Sequence, residues 1–214
     1  MRKGLLTIIF VGLTVGIIFA ESWTLADIKC PICKTTNKFA FLQSWGSSGP
    51  NLQQRLQHIH YHKATTSSWY TCEKCKYSAY MWDFNKPDKK TLRKIRKALP
   101  KLELPALNYS DNVTKKLETA ELIYKLYKHD DDFWWCEFYR VKGYHYAMEG
   151  NIEQARIERL KAFAIAEKLL AMSENDYKRK ELLFITSSMK YFANQDREII
   201  KDIEIGRASC RERV

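Results

Sequence analysis

Cys30-Pro31-Ile32-Cys33 and Cys72-Glu73-Lys74-Cys75 are the two stretches around which this chain is arranged. A C-x-x-C step lets both sulfurs of one tight turn face the same ion, and two such steps supply four thiolates. Structural zinc takes four ligands in a tetrahedron. The pair therefore predicts a zinc shared by Cys30, Cys33, Cys72 and Cys75, with no position left for water or substrate. The 38 residues between Cys33 and Cys72 must loop out and return, as in a zinc ribbon.

Two other chemistries use the same residues. Oxidising compartments favour disulfides, and four cysteines allow three pairings, so zinc ligation and disulfides both stand at this level. Cys30-Pro31-Ile32-Cys33 also resembles the redox step of thioredoxin-like oxidoreductases, whose first cysteine opens a helix. Here Lys34-Thr35-Thr36-Asn37 and then Phe39-Ala40-Phe41-Leu42 follow, which read as a turn and a strand. That context argues against thiol–disulfide chemistry at Cys30 and Cys33.

Residues 21–85 form the expected zinc-ribbon-like module. Residues 39–43 make a strand candidate, ended by the turn cluster 45–50. Leu52, Leu56 and Ile59 fall at helical spacing and predict an amphipathic helix over 51–63. Aromatic and β-branched residues predict strands over 65–71 and 77–82, on either side of the second knuckle. On a helix, His58 and His62 would be four apart and could share a metal. No neighbouring carboxylate or cysteine completes that set, so His58, His60 and His62 are read as a solvated polar face.

The second knuckle runs into Lys76-Tyr77-Ser78-Ala79 and then Asp83-Phe84. Together with Cys30-Pro31-Ile32-Cys33, this resembles a bacterial family catalogued as domain of unknown function 2225. Its members carry a Cys-Pro-x-Cys knuckle, a second knuckle leading into Gly-Tyr-Ala-Ala, a nearby Asp-Phe, and helices similar to tetratricopeptide repeats. Lys76 stands where that family usually has glycine, the second knuckle lacks its proline, and the loop between knuckles is rich in histidine. The resemblance covers 28–84 best and 115–204 loosely. It implies a zinc ribbon followed by helices, and no reaction.

Residues 1–20 have the basic start (Arg2, Lys3), apolar run (5–19) and small terminal residue (Ala20) of a secretory signal peptide. The mature chain is then expected to begin at Glu21 and to be exported to the periplasm or beyond, without being embedded in a membrane. An uncleaved anchor is the alternative. Residues 205–214 read as the translation of a sequencing-adapter oligonucleotide, which removes Cys210 from any fold argument. The formal charge of +11 drops by two for each of these ends. The remaining +7 suits an anionic partner without specifying one.

Residues 86–109 make a basic helix and a linker containing Pro100 and Pro105. Leu92, Ile95 and Leu99 share one helix face, with Lys89, Lys90, Arg93, Lys94, Arg96 and Lys97 elsewhere. Over 110–204 the apolar period becomes 3.6, through Leu117, Ala120, Ile123 and Tyr127, with Ser110 or Asp111 as the cap. Asp130 to Asp132 suit the start of the next helix, 133–148, which is crowded with aromatics. Gly143, Tyr146, Gly150, Ala155 and Ala162 are spaced as in one tetratricopeptide repeat, with 152–172 as the partner helix. A second hairpin is expected from 177–192 and 197–204. Cys136 is read as a small core residue.

The predicted fold class is α+β, mostly α: a small zinc-ribbon-like module followed by antiparallel helical hairpins. Such a chain is expected to be an exported, zinc-stabilised interaction module without catalytic activity, whose hairpins take a protein or peptide partner. No Ser/His/Asp order, phosphate loop or dinucleotide fingerprint is present. Polyanion or nucleic-acid binding through the ribbon and basic helix is the alternative, although export argues against nucleic acid as the partner. Thiol–disulfide activity at Cys30 and Cys33 is another. Metal removal is expected to unfold 28–84 and spare much of the helical half.

Overall fold

The computed structural model describes residues 22–44, 52–105 and 112–194. The expected signal segment, the adapter-like tail and the helix expected at 197–204 lie outside them. Each C-x-x-C is the turn of a β-hairpin. Strands β1 (Ser22–Lys29) and β2 (Thr36–Ser44) pair antiparallel from Lys29 opposite Thr36 to Trp23 opposite Leu42, with Cys30 to Cys33 in the turn. Strands β3 (Trp69–Thr71) and β4 (Ser78–Tyr80) pair in the same way around Cys72 to Cys75. Sequence reading missed β1 because Leu25 is 73 % exposed while Trp23 and Ile28 pack inward. Half-buried and exposed positions alternate from Thr24 to Lys29, but Thr24 and Ala26 on the inner face and Leu25 on the outer one hide that pattern in the sequence.

The helix expected over 51–63 is far shorter: α1 covers Leu52–Leu56. His58 then takes a left-handed φ of 51°, a conformation that histidine tolerates in turns. Ile59 is thereby delivered to the core in extended chain, and two short 3-10 turns, Tyr61–Ala64 and Thr66–Ser68, lead into β3. The buried Arg140 guanidinium fixes this path by donating to the carbonyls of His58 (2.5 Å) and Gln57 (3.4 Å).

Helix α2 (Lys89–Ala98) is capped by Asp88, which accepts from the Thr91 amide at 2.7 Å, and buries Ile95. Helix α3 (Val113–Tyr124) is capped by Asn112; Ser110 and Asp111, the expected caps, lie outside the described residues. Asp131 caps α4 (Asp132–Met148) by accepting from the Trp134 amide. The turn into α5 (Ile152–Met172) is the expected one: Gly150, at φ 80°, ends α4 with bonds from Gly150 N to Ala147 O and from Asn151 N to Tyr146 O. A Cβ on Gly143 would sit 2.9 Å from Arg159 Cγ and 3.2 Å from Ala155 O, so glycine sets the approach of α4 to α5. Helix α6 (Asp176–Asn194) packs antiparallel on α5. No helix among the described residues is long and apolar enough to cross a membrane.

Hairpins and helices share one apolar interior. It runs from Cys30, Tyr77 and Phe84 through Ile95, Leu117 and Tyr124 to Trp135 and Phe138. Tyr70 stacks on Phe39 (4.2 Å, 9°) and donates to Ala40 O at 2.8 Å, joining the two hairpins. Tyr124 on α3 accepts from Tyr80 N and donates to Asp83. A smaller cluster of Cys136, Ala162, Ala166, Leu182, Ile185 and Met189 holds α4, α5 and α6 together.

Candidate metal centre

Two knuckles of the same construction face each other. In the first, Cys30 N donates to Thr35 O (2.8 Å) and Lys34 N to Cys30 O (3.0 Å); in the second, Cys72 N donates to Tyr77 O (2.9 Å) and Lys76 N to Cys72 O (2.9 Å). Both close through a lysine in the left-handed region, Lys34 at φ 67° and Lys76 at φ 62°. That conformation costs a residue with a Cβ about 1–2 kcal/mol. It is the physical reason glycine suits the position where this chain has Lys76. Each lysine folds back on its own knuckle, Lys34 Nζ donating to Pro31 O (3.1 Å) and Lys76 Nζ to Glu73 O (2.9 Å). Arg96, from α2, donates to Ile32 O at 3.2 Å. Three cationic side chains thus grip knuckle carbonyls.

The sulfurs of Cys30, Cys33, Cys72 and Cys75 all lie within 4.8 Å of one another. The shortest pairs cross between knuckles, Cys30 to Cys75 at 3.6 Å and Cys33 to Cys72 at 3.5 Å. A tetrahedron of sulfurs about 2.3 Å from a central ion has edges of about 3.8 Å, so the quartet has the dimensions of a metal centre. An S–S bond is about 2.05 Å, and all five cysteines of the described residues are free thiols.

Crowding splits the quartet's acidity. The hydrogen bond from Cys75 draws Cys30 down to about 5 against the opposing effect of burial. Burial works against Cys33 too, but the hydroxyl and amide of Thr35 hold it below its ordinary value. Burial raises Cys72, and the bond to Cys30 together with burial raises Cys75. Each cross-knuckle pair thus sets a cysteine whose thiol is made more acidic against one whose thiol is made less so. A divalent cation would displace whatever protons the four sulfurs hold.

One residue at this centre had no signal beyond a turn-forming type. Asn37, 2 % exposed on β2, accepts from Glu73 N at 2.9 Å. Its amide nitrogen reaches Thr35 O at 3.0 Å and Cys72 Sγ at 3.7 Å.

The histidines form no second cluster: the cysteine quartet is the one group of metal-ligand type found among the described residues. His58 Nε2 lies 2.8 Å from Glu181, His60 Nε2 3.9 Å from Glu137, and His62 packs edge-on to Trp82. Cys136 is buried, with Sγ donating to Ala162 O and its thiol pushed up by burial. Lys142 on α4 escaped sequence reading: it is buried between Glu121 on α3 and Glu158 on α5 (3.1 Å to Glu158), with Lys125 and Lys161 on the outer sides of the two carboxylates.

Residues 24–129 match a family described as "Uncharacterized protein conserved in bacteria (DUF2225)". No curated protein and no solved structure matches the chain.

Proposed function

We propose, from the match of residues 24–129 to the DUF2225 family of bacterial proteins, that this chain is an exported, zinc-stabilised interaction module without catalytic activity, its helices taking a protein or peptide partner. The observation that carries the reading is the quartet of sulfurs within 4.8 Å of one another. Four thiolates suit zinc, and a catalytic zinc would need a position that this donor set does not leave open. The family match extends beyond the knuckles through α2 and α3, the helices whose Ile95, Leu117 and Tyr124 share the interior of the hairpins.

The partner surface is argued from two concavities along the helices. One of about 310 Å³ lies beside Leu104, Glu121, Leu122 and Lys142, and one of about 290 Å³ lies beside Trp135, Tyr139 and Ile165; Lys125 lines both. The first is walled mostly by charged groups, Glu103, Glu118, Glu121, Lys125 and Lys142, which can orient a peptide, and the second adds the apolar faces of Tyr139 and Ile165. Phe138, Tyr144 and Tyr146 of α4 are buried and unavailable for this role, and Trp135, at 8 % exposed, adds little to the second concavity.

Polyanion binding has its own observation. Residues 21–105 carry 15 Lys and Arg against 6 Asp and Glu, whereas 106–204 carry 16 against 18. The excess positive charge sits on the knuckle half, including the exposed Lys89, Lys90, Arg93, Lys94 and Lys97 of α2.

Elemental analysis and thiol titration test the metal: one zinc per chain with no disulfide is expected. Peptides selected from a random library on the zinc-loaded chain test the partner surface. Selected peptides should lose binding to Tyr139→Ala and Lys125→Glu. Equal binding to both variants rejects the helical surface, and recovery of polyanions alone, released by moderate salt, favours the basic half.

A further inference from the structure

We infer that Asn37 is a positioning residue of the metal centre, its side-chain amide donating to the Cys72 thiolate and locking the two knuckles together. The inference rests on metal occupancy of the quartet.

The amide has only one workable orientation. Thr35 O, 3.0 Å away, is an acceptor and must face the NH₂ group. The Glu73 amide, 2.9 Å away, is a donor and must face Oδ1. Flipping the side chain would oppose two oxygens on one side and two N–H groups on the other. With Nδ2 fixed and one of its hydrogens spent on Thr35 O, the second is the one available to Cys72 Sγ, 3.7 Å away. Every donor and acceptor of this buried side chain is then used.

The partners belong to different halves of the centre. Thr35 and Asn37 follow the first knuckle, whereas Glu73 and Cys72 belong to the second. A donor aimed at sulfur favours thiolate over thiol, so the bond strengthens as metal replaces the proton. Groups that orient metal ligands in this way are worth about 10–100-fold in metal affinity.

Asn37→Asp is the discriminating variant. It keeps nearly the same shape and an oxygen for the Glu73 amide, but sets a carboxylate oxygen where the nitrogen faced both Thr35 O and Cys72 Sγ, so the affinity is read together with a signal from the sulfur itself. Zinc affinity, read by competition with a chromophoric chelator, should fall about 10–100-fold. The cobalt-substituted centre should show a shifted thiolate-to-metal charge-transfer band. Asn37→Ala should do no worse than Asn37→Asp if the sulfur contact matters, and clearly worse if only the brace to Glu73 does. An Asn37→Asp chain that binds zinc within twofold of wild type, with an unmoved cobalt band, overturns the inference. Wild-type protein that takes up no metal overturns this inference and the zinc reading together, whereas normal uptake by both overturns this one alone.

Discussion

Stripping the metal from this protein should unfold the helices along with the knuckles. Structural zinc contributes about 10–16 kcal/mol to small modules, while a whole domain is stable by only about 5–15 kcal/mol. If the metal fed only residues 28–84, the helices would survive, which is what sequence alone leads one to expect. The interior is continuous, however: Tyr124 of α3 accepts from Tyr80 N, Arg140 of α4 donates to His58 O, and His145 of α4 lies 3.0 Å from Lys63 O. Loosening the hairpins exposes Leu117, Tyr124 and Phe138, which share their cluster. For a chain of this size 1 kcal/mol moves Tm by about 2–4 °C, so losing even 10 kcal/mol corresponds to about 20–40 °C. With excess chelator, far-UV circular dichroism should lose most of its helical signal near room temperature while four further thiols become titratable. Thiols titrating fully with ellipticity unchanged, or two separate melting steps, would refute the coupling.

Lys76→Gly should stabilise the metal-loaded protein by about 0.5–1 kcal/mol. Relief of left-handed strain of about 1–2 kcal/mol exceeds the extra unfolded-state entropy of glycine and the lost bond to Glu73 O; equilibrium denaturation reads the difference. Gly143→Ala should cost about 1–3 kcal/mol, because the new methyl meets backbone at Ala155 as well as Arg159 Cγ; an unchanged denaturation midpoint would count against the packing described. Burial pushes His145 below its ordinary value, which is about 6.5. Between its folded and unfolded pKa values the unfolded chain binds more protons, so stability is full above about pH 6.5 and falls on acidification. His145→Gln should flatten that part of the pH–Tm curve relative to wild type, and parallel curves would show that His145 does not carry it.

By itself the sequence determined the cysteine quartet and most of the helices. A C-x-x-C turn has few ways to aim its sulfurs, so Cys30, Cys33, Cys72 and Cys75 could be picked out by spacing. The turn at Gly150 and the partner helix Ile152–Met172 were legible because capping and a 3.6-residue period are local. What lay beyond it depends on groups far apart in the chain. The helix expected over 51–63 stops at Leu56 because His58 turns left-handed, with His58 N bonding to Arg55 O and Ile59 N to Gln54 O. Arg140, more than 80 residues on, holds that turn by its Gln57 and His58 carbonyls. The alternation of β1 is seen only once it pairs with β2, because its sequence sets the apolar Leu25 on the outer face. Asn37 looks like a turn former until Glu73 and Cys72 are brought against it. Lys142 looks like a surface lysine until Glu121 and Glu158 enclose it from two other helices. A buried polar side chain takes its meaning from partners that only tertiary packing delivers, whereas a knuckle or a cap carries its partners in the neighbouring residues.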